Sequence, residues 1–183
     1  MALPRSHDDA DTGLPDARLA ADAARGNPEA LAALYHRHAR ALLAVAYRLL
    51  QRREDAEDVV HDVFLGLPEA LRRYEERGSL GAWLKTITTR VALMRLREQA
   101  TRPLIQLNDE EIPTATLASD ATLTIESALR RLSPNLRAVL VLKEIEGFTH
   151  AEIAAMLDIS VGASEVRLHR ALQQLRTMLM RED

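Results

Sequence analysis

The chain has 183 residues, of which 47% are hydrophobic and 3% aromatic, and its formal net charge is −3. The absence of cysteine excludes disulfide bonds and thiolate metal sites. No stretch is apolar for long enough to span a membrane, and the N-terminal sequence lacks the apolar core of a secretion signal, so we expect a cytoplasmic protein without membrane insertion.

The residue usage favours helices over strands. Ala, Leu, Arg and Glu are frequent, and β-branched residues rarely alternate with polar ones. These features predict an all-α fold. Residues 1–17 are polar and contain proline without a helical period, so we expect them to be disordered.

A first helical domain is predicted over residues 18–100. Asn27 is placed to cap a helix that has Pro28 at its first position. Asp55 is placed to cap the next helix, which Gly66 and Pro68 are expected to kink or interrupt. The apolar residues at helical spacing are Leu31, Leu34, Tyr35, Leu42, Val45, Ala46 and Leu49 in the first of these helices and Val59, Val60, Val63, Phe64, Leu67, Leu71 and Tyr74 in the second.

A third helix is predicted to follow Gly78 and to end near Gln99. One side carries basic residues, and the other is expected to be buried through Leu80, Trp83, Leu84, Ile87, Val91 and Met94. Residues 101–123 contain two prolines and many small polar residues without a sustained period, so they indicate a flexible linker.

A second domain is predicted over residues 124–183. A short helix is indicated by Ile125, Ala128, Leu129 and Leu132. Ser133 and Pro134 are placed to cap and start another helix through about Glu146, and Gly147 is placed to end it.

Residues 147–172, GFTHAEIAAMLDISVGASEVRLHRAL, have the layout of a helix-turn-helix. Thr149 and Glu152 predict a capping box on the first helix, and Ser160 is placed to cap the second. The buried side of the last helix is expected at Val161, Leu168, Leu172, Leu175 and Leu179. Ala163, Glu165, Arg167 and Arg170 lie mostly off this stripe, where they can face DNA.

Charge is segregated along the chain. Residues 54–62 form an acidic block without a base, residues 85–102 are basic, residues 104–126 are acidic again, and residues 166–181 carry bases without an acid. Such runs can be solvated helix faces. Opposite charge on this scale also suits a chain that binds nucleic acid with one surface and a basic protein with another.

On these residues the chain resembles bacterial RNA polymerase sigma factors of the sigma-70 family, in the compact extracytoplasmic-function (ECF) group. The resemblance covers about residues 18–181. EDAEDVVHDVFLGLPEALRRYEERGSLGAWLKTITTRVALMRLRE looks like region 2, and LRRLSPNLRAVLVLKEIEGFTHAEIAAMLDISVGASEVRLHRALQQLR looks like region 4. The resemblance implies a factor that binds core RNA polymerase and promoter DNA. It also implies an anti-sigma factor as a partner that sequesters the chain.

The resemblance also implies roles for individual residues. The core-polymerase-binding residues would be Asp55, Glu57, Asp58, Asp62, Val63 and Phe64. In the part that recognises and opens the minus-10 element, the residues that follow the phosphates would be Lys85, Arg90, Arg95 and Arg97. A loop pocket before Trp83 would receive an unstacked base of the opened strand. Trp83 itself is interpreted as a core residue in preference to a base-stacking one. The minus-35 element would be read by Ser160, Ala163, Ser164, Glu165, Arg167, His169 and Arg170.

Several positions depart from the usual family pattern. The third helix of the family usually has a pattern like RNxxxD, whereas this chain has Thr89, Arg90 and Met94. The family's base preference in the minus-10 element therefore cannot be transferred to this chain. Asp158 stands where the turn usually has glycine, Ser164 where a buried aliphatic residue is typical, and Glu165 where a base is common. An unusual minus-35 sequence is therefore expected, with Glu165 able to accept a hydrogen bond from cytosine N4.

Three alternatives stay open at the level of sequence. A sigma-like decoy would bind an anti-sigma factor without reading DNA, although it would not need the basic surfaces. A dimeric helix-turn-helix regulator would leave the first domain without a role. An enzyme is disfavoured because the six histidines form no zinc-type motif and no glycine-rich phosphate loop is present, so no catalytic residue, metal or cofactor is expected.

Overall fold

The computed structural model describes residues 14–75, 78–101 and 125–180. Within these ranges the chain forms α-helices and no strand, which confirms the all-α prediction. The helices are α1 (Asp16–Ala24), α2 (Pro28–Leu50), α3 (Arg53–Leu71), α4 (Leu80–Thr101), α5 (Ile125–Arg131), α6 (Pro134–Leu140), α7 (His150–Leu157) and α8 (Val161–Leu179), and a π-helical turn at Val141–Ile145 continues α6.

Two sequence predictions fall largely outside the described residues. The segment expected to be disordered, 1–17, is described only from residue 14, and there α1 already begins at Asp16. Of the expected linker 101–123, only Thr101 is described, as the last residue of α4. Arg102, counted with the basic zone, also lies outside.

The described helices belong to two compact units. The first lies within Met1–Ala46 and Glu54–Thr89, and the second within Tyr47–Arg53 and Arg90–Asp183. The last turn of α2 and the second half of α4 therefore belong to the second unit, although both precede the expected division near residue 100. The boundaries 18–100 and 124–183 stay predictions.

In the first unit, α2 begins as predicted and α1 packs on it. The Asn27 side chain accepts hydrogen bonds from the backbone N–H groups of Glu29 and Ala30 at 2.9 and 3.1 Å, which caps the helix. The Asp16 carboxylate lies 2.7 Å from Arg37 Nη1 and 2.9 Å from His38 Nε2. These contacts hold the start of α1, whose Leu19 and Ala23 are buried.

Helix α3 corrects two predictions. It begins at Arg53, so Asp55 lies inside its first turn and is not the cap. It also continues as one helix through Gly66 and Pro68 to Leu71, so of the expected kink or interruption the interruption is absent. One apolar face runs along its whole length and is buried at Val59, Val63, Phe64, Leu67 and Leu71. Burial of that face outweighs the backbone hydrogen bond that proline removes.

Helix α4 buries only Leu80 and Leu84 of the predicted face, together with residues outside it. Met94 is 56% exposed, and Trp83, Ile87 and Val91 are only half-buried. Thr88 and Thr89 are fully buried, together with the apolar residues Leu80, Leu84, Ala92 and Leu93. The Thr88 hydroxyl donates to the Leu84 carbonyl at 2.9 Å, which satisfies it inside the helix. A threonine that bonds its own helix can therefore occupy a position that its polarity assigns to the surface.

In the second unit, α5 and α6 form where they were predicted. Ala128, Leu129 and Leu132 are buried, although Ile125 is 74% exposed. Pro134 is the first residue of α6, but the Ser133 hydroxyl makes no capping bond and is buried without a partner among the described residues. Gly147, at φ 78°, ends the π-helical turn in the left-handed region that favours glycine.

Arg137 is a buried cation on α6. It is 6% exposed, and its guanidinium donates to the carbonyls of Leu49, Leu132 and Leu129 at 3.1, 3.2 and 3.4 Å. These carbonyls lie at or just beyond the C-terminal ends of α2 and α5, where a cation is favoured by the helix dipole. Burial lowers the pKa of Arg137 to about 10, so the side chain remains protonated at neutral pH.

Candidate nucleic-acid interface

The helix-turn-helix is formed by α7 and α8. The Thr149 hydroxyl accepts from Glu152 N at 3.2 Å, and the Glu152 carboxylate accepts from Thr149 N at 2.7 Å, so the predicted capping box is present. Asp158 ends α7 in the left-handed conformation, with φ 55° and ψ 50°. The predicted cap of α8 is also present, because the Ser160 hydroxyl accepts from Ala163 N at 3.0 Å.

The buried face of α8 differs from the predicted one. Val161 and Leu172 are 44% and 45% exposed, and Leu168 and Leu175 are half-buried. The side chain of Leu179, also predicted to be buried, lies outside the description. Among the side chains of α8 that the structure describes, the buried ones are Ser164, Ala171 and Met178, which are spaced by seven and therefore share one face. Small side chains at Ser164 and Ala171 allow close packing of helices there. The prediction selected the larger apolar residues, and these lie beside the buried face instead of at its centre.

Ser164 must be removed from the residues expected to contact DNA. It has no exposed surface, and its hydroxyl lies 2.9 Å from His150 Nδ1 on α7. The other expected minus-35 residues are accessible: Ser160, Glu165, His169 and Arg170 are exposed, and Ala163 and Arg167 are half-buried. Sequence reasoning missed His150 because its partner lies fourteen residues away.

Two charged groups of opposite sign lie on different flanks of α8. With about 3.6 residues per turn, Arg167 and Arg170 lie near Ala163, while Glu165 and His169 lie together on the other flank. No described residue forms a hydrogen bond or ion pair with Glu165, Arg167 or Arg170. Val166, which lies between the two flanks, is 50% exposed. The exposed surface of α8 thus offers a cation pair, a carboxylate and an apolar patch.

The basic residues of α4 do not form one continuous side. Arg90 and Arg97 are seven residues apart and share a face, whereas Lys85 and Arg95 lie elsewhere around the helix. Lys85, Arg90 and Arg97 are exposed, and Arg95 is half-buried. In the second unit, Arg97 Nη2 also donates to the carbonyl of Met156 at 2.5 Å.

Tyr74 and Trp83 form an aromatic pair in the first unit. Their ring centroids lie 4.6 Å apart with an interplanar angle of 49°, and the Tyr74 hydroxyl donates to the Gly78 carbonyl at 3.1 Å. Both rings are half-buried, so Trp83 is neither a full core residue nor a free stacking platform. The pair lies beside the loop that was expected to hold an unstacked base.

The acidic block forms an exposed face on α3. Glu57, Asp58 and Asp62 are exposed and Asp55 is half-buried. Val63 and Phe64 are buried instead, at 5% and 6% exposure, which corrects the expectation that their side chains form the binding surface.

An apolar element of this face was missed by the sequence analysis. Leu65 is 68% exposed, seven residues after Asp58 and so on the same side of the helix. Phe64 packs edge-on against Tyr35 of α2 with ring centroids 4.9 Å apart, and Tyr35, expected to be buried, is 46% exposed. The predicted stripe of α2 includes Tyr35, whereas Leu65 lies off the stripe predicted for α3 and was given no role.

Metal and membrane sites were also searched in the described part of the chain. It holds no group of three or more His, Cys, Asp or Glu side chains that could bind a metal ion. None of its helices combines the length and apolarity that a membrane crossing requires.

The arrangement matches known family models in both halves of the chain. Residues 34–102 match Sigma-70 region 2, and residues 122–175 match Sigma-70, region 4. The chain belongs to the sigma-70 family of RNA polymerase sigma factors. This confirms the resemblance stated from the sequence, and the order of the two regions is the one expected there.

Individual sigma factors are similar over most of the chain. The ECF RNA polymerase sigma factor SigE of Mycolicibacterium smegmatis is 33% identical over 159 residues, covering 80% of this chain and 60% of SigE. CarQ of Myxococcus xanthus, an RNA polymerase sigma factor, is 31% identical over 159 residues, covering 84% of this chain and 91% of CarQ. These similarities place the chain in the ECF group.

A solved structure is similar as well. The sigma factor RpoE from Bartonella quintana, crystallised in complex with the anti-sigma factor NepR, has a TM-score of 0.55 and 25% identity to this chain. The match covers 77% of this chain and 91% of RpoE.

Proposed function

We propose that this ECF-group factor binds core RNA polymerase and directs it to promoters whose minus-35 element is read by α8. The observation that carries the proposal is the helix-turn-helix itself: both helices are capped, and Arg167 and Arg170 bond to no other described residue. Guanidinium groups in this state are available for phosphates and for the acceptor edge of guanine.

The exposed surface of α8 suits a major groove. Arg167 and Arg170 on one flank would hold the helix against the backbone or read guanine, and Val166 can contact a thymine methyl group. Glu165 on the other flank repels phosphate but can accept from cytosine N4. A helix with this combination would select a particular sequence instead of binding DNA by charge alone.

The acidic face of α3 is proposed as the contact with core polymerase. Its exposed carboxylates, including Asp58 and Asp62, would attract a basic partner surface, and the exposed Leu65 would bury apolar area in the centre of the contact. Phe64 lies on the buried side of α3 and packs against Tyr35 of α2. The proposed surface therefore differs from the one expected at first by gaining Leu65 and losing the buried Val63 and Phe64.

Promoter opening is proposed to need no catalytic residue of this chain. Arg90 and Arg97, which share one face of α4, would follow the phosphates of the opened strand, while Lys85 and Arg95 on other sides of the helix would lie off this path. The half-buried pair Tyr74 and Trp83 lies next to the loop that would receive an unstacked base. Better binding of the separated strand than of the duplex would shift the equilibrium toward melted DNA.

An anti-sigma factor is proposed as a further partner in the cytoplasm. The support is the similar sigma factor from Bartonella quintana, which was crystallised with the anti-sigma factor NepR. Such a partner would cover the polymerase-binding or DNA-binding surfaces until a signal releases it.

Run-off transcription tests the proposal directly. Purified core polymerase is supplied with the full chain and a pool of genomic promoter fragments that includes the chain's own upstream region, and core polymerase alone is the blank. Transcripts that require the chain and share upstream elements are expected. Stable core binding without transcripts from any fragment, or no core binding at all, would contradict the proposal and favour a decoy or an ordinary dimeric regulator.

Two matched variants separate promoter binding from core binding. Arg167→Ala should weaken binding to minus-35 DNA by about tenfold, the value of one good base or phosphate contact, while core affinity stays unchanged. Arg130→Ala removes the same charge from an exposed position on α5 and should leave both affinities unchanged. Equal promoter affinity of the Arg167 and Arg130 variants across salt concentrations would remove Arg167 from the interface.

A further inference from the structure

A hydrogen bond joins the two helices of the helix-turn-helix through side chains. His150 is the first residue of α7, and its Nδ1 lies 2.9 Å from the Ser164 hydroxyl oxygen in the second turn of α8. Ser164 has no exposed surface and His150 is half-buried. The bond therefore lies within the interface that holds α8 against α7.

The residues around this bond are otherwise apolar. The other buried residues of α7 and of the first eleven residues of α8 are Ile153, Ala154 and Ala171, which have no polar side-chain atoms. A buried hydroxyl without a partner destabilises the folded state. His150 supplies that partner for Ser164.

A directional contact constrains the helices in a way that apolar contacts do not. The hydrophobic effect is non-directional, and its strength follows the buried area. A hydrogen bond instead weakens steeply once its length and angle leave a narrow range. Because Ser164 and Glu165 are adjacent on α8, a rotation that moves the Ser164 hydroxyl away from His150 also moves Glu165 and its neighbours relative to the bases.

We infer that His150 and Ser164 are positioning residues, which fix the rotation of α8 about its own axis and so determine which of its side chains meet the bases of the minus-35 element. This inference rests on the proposed function. Neither residue contacts DNA in this scheme. The serine hydroxyl can donate or accept, so the pair forms with either tautomer of the neutral imidazole.

The chemistry of asparagine and glutamine supplies a matched pair of variants. The terminal atoms of asparagine stand at the same number of bonds from Cβ as Nδ1 of histidine, whereas those of glutamine stand one bond further. His150→Asn therefore retains a polar atom within reach of Ser164, and His150→Gln places it elsewhere. Ser164→Ala removes the hydroxyl from the other side with a minimal change of volume.

The measurement is the ratio of affinities of the full chain, bound to core polymerase, for promoter DNA with its minus-35 element and with that element replaced. In His150→Gln and Ser164→Ala this ratio should fall about tenfold, the net worth of roughly one hydrogen bond. His150→Asn should stay within about twofold of the parent. The double variant His150→Gln with Ser164→Ala should lose no more than either single change, since both remove the same bond.

The outcomes separate this inference from the proposed function. A parent that does not distinguish the two DNAs would remove the proposed function. If the parent and all the variants have the same affinity ratio for the two DNAs, only the positioning role is overturned. Thermal unfolding of each variant is compared with the parent. A drop in stability in His150→Gln without a change in the affinity ratio would also overturn the inference, because the bond would then be only structural.

A spectroscopic measurement tests the bond without DNA. In the parent chain, the imidazole nitrogen resonances of His150 should shift on Ser164→Ala, while those of the other five histidines stay in place. Unchanged His150 resonances would show that the two side chains do not interact in solution, which would overturn the inference.

Discussion

The Glu152 carboxylate accepts hydrogen bonds from both the backbone N–H and the hydroxyl of Thr149, each at 2.7 Å. Both groups favour the ionised form, with the backbone bond contributing most, and they lower the pKa of Glu152 below its ordinary value. The N-terminus of α7 is thereby closed by a group whose charge depends on pH. This closure fixes where the helix-turn-helix begins.

The first prediction concerns acid sensitivity. Since the folded pKa of Glu152 lies below the unfolded one, its contribution to stability is present above the ordinary carboxyl range and is lost as pH falls through the folded pKa. Glu152→Gln should reduce stability at pH 7 and flatten its pH dependence below about pH 4. Urea unfolding of parent and variant at several pH values measures this. Parallel pH profiles would contradict the assignment.

The buried Arg137 gives a second prediction. Arg137→Met keeps the length of the side chain but leaves the carbonyls of Leu49, Leu129 and Leu132 without this donor. The free energy of unfolding should fall by about 3 kcal/mol, because each buried acceptor left unpaired costs roughly 1–3 kcal/mol and some regain water. Arg130→Met, on an exposed position of α5, should change it by less than about 0.5 kcal/mol. Equal urea midpoints for the two variants would refute the role of the carbonyls.

The third prediction concerns base preference. If Glu165 accepts from cytosine N4, Glu165→Gln should shift the preference at that base pair from cytosine toward adenine by about tenfold or more. Competition binding with minus-35 elements changed at one position each measures the shift. Glu126→Gln removes the same charge from an exposed position on α5 and should leave the preference unchanged. A uniform gain in affinity for all elements in the Glu165 variant would show charge relief without base reading.

The fourth prediction concerns core polymerase. Asp62→Lys should weaken core binding by at least roughly tenfold, because it puts a positive charge opposite a basic surface, and the loss should shrink at high salt. Glu69→Lys makes the same charge change on α3, beyond the acidic block of residues 54–62, and should have a much smaller effect. Affinity measurements with purified core at two salt concentrations decide this. Equal losses for both variants would mean that only overall charge matters.

Three local capping signals predicted the helix starts that they control, whereas Asp55 and Ser133 form no cap. The caps of α2, α7 and α8 involve residues two or three apart, so Asn27, Thr149 and Ser160 could be read directly. The continuity of α3 through Pro68 depends on burial of a face along the whole helix, which overrides the local breaker. A local pattern cannot show the balance between these two effects.

The remaining differences have non-local causes. Ser164 is buried because His150 reaches it, and Arg137 is buried because carbonyls from other helices surround it. Ser164 was expected to face DNA because its partner is distant in sequence, and no local pattern of the sequence identified Arg137 as buried. Tyr35 and Met94 show the reverse, since the predicted apolar stripes include both residues, yet they are 46% and 56% exposed.

Trp83 is the chain's single tryptophan, and it lies half-buried against Tyr74. Its fluorescence therefore comes from one known place, next to the loop proposed to take up an unstacked base, and needs no attached dye. Quenching on addition of single-stranded minus-10 DNA would follow strand capture in real time. The intrinsic fluorescence of Trp83 can therefore report promoter opening in the unlabelled protein.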